Sequence, residues 1–205
     1  VKKILKQNNY IKKYNQNALV VNFLHTKNHY NVAYEIFYDS GPLATLPMVG
    51  NLKNKYRSSL VWSHDPKFIK SLNEVNNEFL SVIINERIEK ILGKITRIVN
   101  KKVFPLSAHI NSSFSSNRVV YVGDAAHSVH PIAGQGWNLG MRDINTLTKI
   151  ISETIKLGID PGSDFVCKKY HKMRYYDAFS LYQITDKLNS FFILNGLCSK
   201  ITRNA

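Results

Sequence analysis

The 205-residue sequence predicts a mixed α/β protein of the α+β type, in which an antiparallel sheet comes before most of the helices. Three observations support this. Strand-like segments alternate with turn residues in the first third of the chain. Apolar residues at helical spacing begin near Asp65, and a short apolar strand at 118–122 leads directly into a glycine-rich segment.

Four strands are predicted in the first third. Residues 17–25 and 30–38 are rich in Val, Phe and Tyr, as half-buried strands are. Residues 43–49 and 57–63 continue this pattern. Pro47 interrupts the third strand, and because proline has no N–H to donate, we expect it at an edge or a bend.

A helical region follows Asp65. Apolar residues recur at steps of three and four, which predicts a helical pattern, and Gly93 is a plausible stop. These residues are Val75, Phe79, Val82 and Ile83, followed by Ile84, Ile88, Ile91 and Leu92. Strand-like segments return at 95–99 and 103–110.

Two more helices are predicted after the short strand at 118–122, which we expect to be buried in a sheet covered on both faces. One spans 136–157. Its apolar stripe is Ile144, Leu147, Ile151 and Ile155. The last helix runs from Asp164 to the low 190s and is rich in aromatic residues.

The composition excludes several classes of protein. The two cysteines, Cys167 and Cys198, are too few for a disulfide scaffold or a thiolate metal site, and no apolar run is long enough for a membrane span. We therefore expect a reduced, cytoplasmic setting. The net charge of +14 comes from lysines that are spread along the chain, so we favour a compositional bias over a nucleic-acid partner.

The segment from Gly123 to Gly140 carries the chemistry. It follows a strand, it is rich in Gly and Ala, and it leads into a helix, so its backbone can approach a ligand closely. Asp124 stands where open α/β sheets bind their ligands. Gly134 and Gly136 precede a helix whose first amides favour a negatively charged ligand atom. Asp124, Gln135 and Asn138 could also act only as caps.

The sequence GDAAHSVHPIAGQGWNLGMRD at 123–143 strongly resembles the second flavin-contacting motif of class A FAD-dependent aromatic monooxygenases, in particular the hydroxylases of ubiquinone biosynthesis. Similar residues extend along nearly the whole chain. The resemblance implies a partial FAD/NAD(P)-binding flavoprotein hydroxylase fold, with an antiparallel substrate-domain sheet plus C-terminal elements of the FAD domain. It implies FAD as cofactor and NAD(P)H as reductant.

The resemblance also implies roles for individual residues. Asp124 would bind hydroxyls of FAD, Pro131 would lie against the isoalloxazine ring, and amides near Gly136 would face its N1–C2=O edge. The cofactor-binding residues implied are Gly123, Asp124, Pro131, Gly134, Gln135, Gly136, Trp137 and Asn138. Leu46 and Trp62 would contact substrate, although a core role is equally compatible with their types. No catalytic acid or base is assigned. Arg142 with Asp143, and Arg174 with Asp177, are interpreted as structural ion pairs or solvated charges. His127 and His130 lack a third ligand nearby, so no metal is expected.

The sequence departs from the family at its start. The family opens with a GxGxxG unit, and this chain has none. We therefore expect a C-terminal portion of a longer enzyme that binds FAD weakly by itself. The implied division is a substrate-domain sheet at 1–110, a C-terminal part of the FAD domain at 111–160 and a helical segment at 161–205.

The implied partners are a prenylated phenol, molecular oxygen, an N-terminal FAD-binding half and a peripheral membrane surface on the cytoplasmic side. Two alternatives stay open. One is an inactive remnant, or a subunit that needs an N-terminal partner chain. The other is a flavin hydroxylase of a different aromatic substrate.

Overall fold

The computed structural model describes residues 8–50 and 56–193. Cys198 lies outside these ranges. The described residues divide into two compact units: 14–50, 56–106 and 191–193, called here the sheet unit, and 8–13 and 107–190, called the motif unit. These units are defined by packing, so the functional division at 110 and 160 stays a prediction.

The sheet unit is built on antiparallel strands in the order β2-β3-β4-β1-β5. The strands are β1 (Asn9–His25), β2 (Tyr34–Tyr38), β3 (Gly41–Met48), β4 (Arg57–His64) and β5 (Ile95–Asn111). Strands β1 and β5 are long enough to contribute residues to both units. Strand β5 includes both predicted strands, at 95–99 and 103–110, in one continuous strand.

The predicted strand at 30–38 is wrong in its first four residues. Tyr30 and Asn31 have φ values of 50° and 58°, which turn the chain, and the strand begins only at Tyr34. Pro47 lies where an edge was predicted. Strand β2 pairs with β3 only as far as Thr45. On the β2 side, Pro47 therefore has no paired residue that would need a hydrogen bond from its N–H.

Two helices cover one face of this sheet, α1 (Pro66–Glu74) and α2 (Asn77–Leu92). The Asp65 side chain accepts from the Lys67 amide at 2.8 Å, and the Asn76 side chain accepts from the Phe79 amide at 2.8 Å, so each helix begins at a side-chain cap.

The buried face of α2 confirms the prediction at Ile84, Ile88 and Leu92 and contradicts it at Phe79 and Val82. It is a strict four-residue series, Leu80, Ile84, Ile88 and Leu92. Phe79 and Val82 are more than half exposed. Helix α2 begins at its own cap after α1 has ended. Apolar residues that come before this cap therefore do not belong to the buried face of α2.

The motif unit contains the end of β5 paired with β8 (His127–Ser128), a short hairpin of β6 (Ser115–Ser116) and β7 (Val119–Val120), and two helices. The helices are α3 (Gly136–Lys156) and α4 (Asp164–Ile193), close to their predicted bounds. The predicted buried strand at 118–122 is wrong in extent. Of residues 118–122, all of which the structure describes, only Val119–Val120 form a strand, and this strand pairs with β6.

The predicted stripe of α3 is wrong at Ile144 and Ile155, whereas Leu147 packs against the core as predicted. The buried residues of α3 are Leu139, Asp143, Ile150 and Thr154. Ile144 and Ile155 are 49% and 60% exposed. Ile144 and Ile155 therefore face outward, while the carboxylate of Asp143 faces inward, toward the candidate site described below. No described helix is both long and apolar enough to cross a bilayer.

Candidate functional site

A tight loop carries Asp124. The chain is still extended at Val122, and Gly123 then takes a φ of 56°, which glycine adopts without strain. Residues Gly123–Ala125 form a single 3-10 turn. The Asp124 side chain is exposed, and its backbone carbonyl accepts a hydrogen bond from His109 Nε2 at 3.1 Å. The turn therefore directs a carboxylate to solvent from a fixed backbone.

A second turn leads into α3. The Gly134 amide donates to the Pro131 carbonyl at 2.9 Å, and Gly134 has a φ of 60°. Helix α3 begins at Gly136, and its cap residue Gln135 makes no side-chain capping bond. Among the described residues, the first amides of α3 thus keep their partial positive charge for a ligand.

The two turns border one cavity of about 240 Å³. Its lining residues are Asp124, His127, Ser128, Val129, Pro131, Gly134 and Gly136. Asp124, Pro131, Gly134 and Gly136 belong to the predicted cofactor set, so the structure brings half of that set together.

The other predicted cofactor residues lie beside this cavity rather than in its wall. The Gly123 amide is used internally, Gln135 accepts from the Asn138 side chain at 3.4 Å, and the Trp137 side chain is 78% exposed. For Trp137 and Asn138 the predicted role belongs to the backbone amide, which the helix start leaves available.

The two predicted substrate residues lie on opposite faces of the sheet unit. Leu43 is paired with Trp62, and paired residues share a face. Leu46 is three residues further along β3 and so points the other way. Trp62 is in the core, where Arg87 lies 4.6 Å from its ring, while Leu46 is 42% exposed.

A buried network of charges lies behind the loop, and of its contacts only the Arg174–Asp177 pair was predicted. Asp143 is fully buried. Its Oδ1 accepts from Arg174 Nε at 2.7 Å, and its Oδ2 accepts from His127 Nε2 at 2.7 Å and from the Gly123 amide at 2.9 Å. The sequence placed Asp143 beside Arg142, but in the structure Asp143 pairs with Arg174, and Arg142 pairs with Asp177. Asp143 lies on the inner face of α3, which its neighbours in the sequence do not indicate.

The network continues outward through Asp177. Both Arg174 and Arg142 donate to the Asp177 carboxylate. Burial by itself would raise the pKa of Asp143, but the hydrogen bonds from His127, Arg174 and Gly123 outweigh burial and hold the pKa below its usual value. Asp143 is therefore an ionised carboxylate in the core.

His127 and His130 do not converge on one point. His127 bonds to Asp143, whereas the ring of His130 accepts from the Ile132 amide at 3.2 Å. Burial lowers the pKa of His130 to about 4, with Asp186 opposing the shift and Lys12 adding to it. Within the described residues, no group of three or more His, Cys, Asp or Glu side chains could hold a metal.

The sequence matches the model of a protein family described as "FAD binding domain" over residues 4–174, and the chain belongs to this family. It is 34% identical over 179 residues to ubiquinone hydroxylase UbiL of Rhodospirillum rubrum, covering 87% of this chain and 41% of that protein. It is 32% identical to the 3-demethoxyubiquinol 3-hydroxylase of Escherichia coli, covering 83% of this chain and 42% of that protein. The chain thus spans about two fifths of these relatives, and the predicted resemblance is confirmed.

A solved structure gives the same fold. The probable FAD-dependent monooxygenase PqsL of Pseudomonas aeruginosa superimposes with a TM-score of 0.74 at 19% identity, covering 94% of this chain and 52% of PqsL. The prediction of a partial flavoprotein hydroxylase fold is confirmed.

The residues of the cavity fit the flavin that the family binds. A Cβ built on Gly134 or Gly136 meets no atom within 4 Å, so the backbone here borders open space. Next to that space are helix amides suited to an anion and a carboxylate suited to hydroxyl donors. At about 240 Å³ the cavity is smaller than whole-ligand sites usually are, and it would accept only a part of FAD.

Proposed function

We propose that the protein containing this chain is an FAD-dependent monooxygenase that hydroxylates the ring of a polyprenylated phenol in ubiquinone biosynthesis. One observation carries the proposal: Asp124, Pro131, Gly134 and Gly136 border a single cavity at the uncapped start of α3, in a chain of the FAD family. The names of the relatives support the substrate class.

The chain's own residues would hold and orient the cofactor. Asp124 would accept hydrogen bonds from flavin hydroxyls, Pro131 would pack against the ring, and the first amides of α3 would stabilise negative charge by about 0.3–2 kcal/mol. FAD, when bound, supplies hydride acceptance from NAD(P)H and the reaction with oxygen. No side chain of this chain is assigned an acid or base role.

The site is tested by filling the space above the helix start. Gly136→Val adds methyl groups where a Cβ has no neighbour within 4 Å, so we expect the protein to fold normally. If the cavity binds flavin, FAD affinity in a fluorescence titration falls by about tenfold or more, because close backbone approach is lost.

Lys149→Ala is the control. Its side chain is exposed on α3 and does not line the cavity, so FAD affinity should stay unchanged. Asp124→Asn keeps size and removes charge, and it should weaken FAD binding without changing thermal stability. Equal FAD affinity in all three variants would contradict the proposed site.

We also propose that the outer face of α3 receives an N-terminal FAD-binding half. Trp137, Met141, Ile144, Ile151 and Ile155 follow one another at intervals of three, four or seven residues on this face. Three of them, Trp137, Ile144 and Ile155, are about half exposed or more. A groove of about 520 Å³ lies along the same face, between Met141 and Thr148. The relatives are about twice as long as this chain, so their sequences leave room for such a half.

This pairing has a direct test. A separately produced GxGxxG-bearing half from a relative is mixed with this chain, and complex formation and NADH-dependent oxygen uptake are measured. Ile144→Lys should abolish the complex, whereas Lys149→Glu should not. Complex formation that Ile144→Lys leaves intact would contradict the assigned face, and a complex with no oxygen uptake would favour an inactive remnant.

A flavin hydroxylase of another aromatic compound is the second candidate. PqsL of Pseudomonas aeruginosa, whose fold is shared, has been solved in complex with 2-aminobenzoylacetate, a polar aromatic compound. Substrate polarity separates the candidates. Binding of a prenylated phenol in preference to a polar one supports the ubiquinone assignment, and the reverse preference supports the second candidate.

A prenylated substrate leads us to propose a cytoplasmic protein in peripheral contact with a membrane. The net charge of +14 supports binding to anionic lipid. Sedimentation with vesicles of anionic lipid should exceed that with neutral vesicles and should fall with added salt. Equal sedimentation with both would contradict this contact.

A further inference from the structure

One carboxylate oxygen holds both ends of the loop that carries Asp124. Oδ2 of Asp143 accepts from the Gly123 amide at 2.9 Å and from His127 Nε2 at 2.7 Å. Asp124 lies between these two residues and lines the cavity. Five residues of the loop are thus closed onto a single atom.

The other oxygen of Asp143 prevents this carboxylate from turning. Arg174 Nε donates to Oδ1 at 2.7 Å. Arg174 is itself buried and also donates to Asp177 and to the Leu139 carbonyl, which lies on α3 one turn before Asp143. The carboxylate plane is therefore fixed by donors from the loop and from α4.

His127 is held independently in the orientation that this bond needs. Its backbone is paired with Ile110 of β5, and its ring packs against Phe114 with centroids 5.4 Å apart. At His127 the loop is therefore held twice, by backbone pairing with β5 and by the side-chain hydrogen bond to the Asp143 carboxylate.

We propose that Asp143 is a positioning residue that holds the Gly123–His127 loop at both ends and so fixes the place at which Asp124 meets the cofactor. Only the identity of the ligand rests on the proposed function. Asp143 does not line the cavity, so it acts through Asp124 and not by contact with the ligand.

The loop itself is tested without any flavin. Asp143→Asn keeps the shape but turns one acceptor into a donor, which leaves either Arg174 or the loop without its partner. We expect amide hydrogen exchange across Gly123–His127 to become about tenfold faster than in the unsubstituted protein. Asp177→Asn makes the same chemical change on the same arginine without touching the loop, so exchange there should not change.

A second pair of variants protects the test against a misfolded Asp143→Asn protein. His127→Leu removes one of the two attachments, and His127→Gln replaces the donor with another. Faster loop exchange in the first variant and restored slow exchange in the second support the positioning role. Unchanged loop exchange in both, or acceleration spread evenly over the motif unit, overturns it.

The link to Asp124 is tested by a double-mutant cycle on FAD affinity. Asp143→Asn should weaken binding by about tenfold when Asp124 is present, and by less than about twofold in the Asp124→Asn background. Equal losses in both backgrounds overturn the proposal. If neither the unsubstituted chain nor its mixture with a GxGxxG-bearing half binds FAD, the proposed function fails, and the exchange measurement still judges the role of Asp143.

Discussion

The two units are stabilised by different chemistry. The core of the sheet unit consists of Leu, Ile, Val, Phe and Trp side chains from the strands and from α1 and α2. Among the described residues, its buried polar groups are Gln16, His25, Thr45, Ser58 and Ser63, none of them a permanent charge. The motif unit buries an ionised pair, Asp143 and Arg174, at 0% and 4% exposure.

The difference shows where this chain uses costly interactions. Burying an ion pair contributes little net stability, since desolvation offsets most of the attraction. A hydrophobic core therefore suffices where the unit only has to fold. In the motif unit the pair lies directly behind the loop of Asp124, and its benefit there is a fixed geometry.

The largest effect should come from breaking the ion pair. Arg174→Met leaves Asp143 buried without its main cation, which should lower the free energy of unfolding by about 3–5 kcal/mol. Chemical denaturation followed by circular dichroism measures it. Lys168→Met removes an exposed pair with Asp164 and serves as control. A small loss for Arg174→Met would mean that the charge is not needed in this core.

An equally local change in the sheet unit should cost slightly less. Ile84→Ala opens a cavity on the buried face of α2, at a cost of about 3 kcal/mol. Val82→Ala, on the exposed side of the same helix, is the control and should change stability by less than about 0.5 kcal/mol. The loss should be the same at pH 7 and pH 5, because no charge is involved. Fluorescence of the buried Trp62 reports on this unit.

The motif unit should lose stability in mild acid. Because burial lowers the pKa of His130 to about 4, the unfolded state binds a proton more readily between pH 6.5 and 4. This contribution is fully present above pH 6.5 and is lost as pH falls, by about 2 kcal/mol at pH 5.

His130→Asn checks that assignment. The amide oxygen can still accept from the Ile132 amide, but the side chain no longer titrates. The stability of this variant should be flatter between pH 8 and 5 when measured by urea denaturation. A variant with the same acid sensitivity as the unsubstituted protein would place the effect on other groups, such as His171.

The smallest effect concerns the outward stripe of α3. Ile155→Ala should change the stability of this chain by less than about 0.5 kcal/mol, since the side chain is 60% exposed. Ile150→Ala, on the inner face, should cost about 3 kcal/mol. Thermal denaturation of both variants compares the two faces, and equal losses would contradict the observed orientation of the helix.

Local signals predicted most of the elements. Asp65, Gly93 and the spacing of the apolar residues near them indicated helices and a stop, and these features depend on a few neighbouring residues. The bounds of α3 and α4 were close for the same reason. The turn at Tyr30 was missed because its left-handed residues are not glycines.

Helix faces were predicted less well than helix bounds. On α3, Ile144 and Ile155 satisfy the periodicity of a core face as well as the buried residues do. Periodicity shows that a helix has an apolar stripe, but it does not say whether that stripe packs inside the chain or remains exposed. The sequence motif identified eight candidate cofactor-binding residues, and half of them, including Asp124 and Gly136, line one cavity in the structure.

The sequence by itself determined that a glycine-rich loop and a helix start lie together after a strand, and that they belong to a flavin-binding family. The motif is continuous, so its chemistry can be read from neighbouring residues. Only the tertiary structure decided that Asp143 faces inward and meets Gly123, His127 and Arg174. Arg174 is 31 residues away in the chain, and a contact over that distance depends on how α3 and α4 pack.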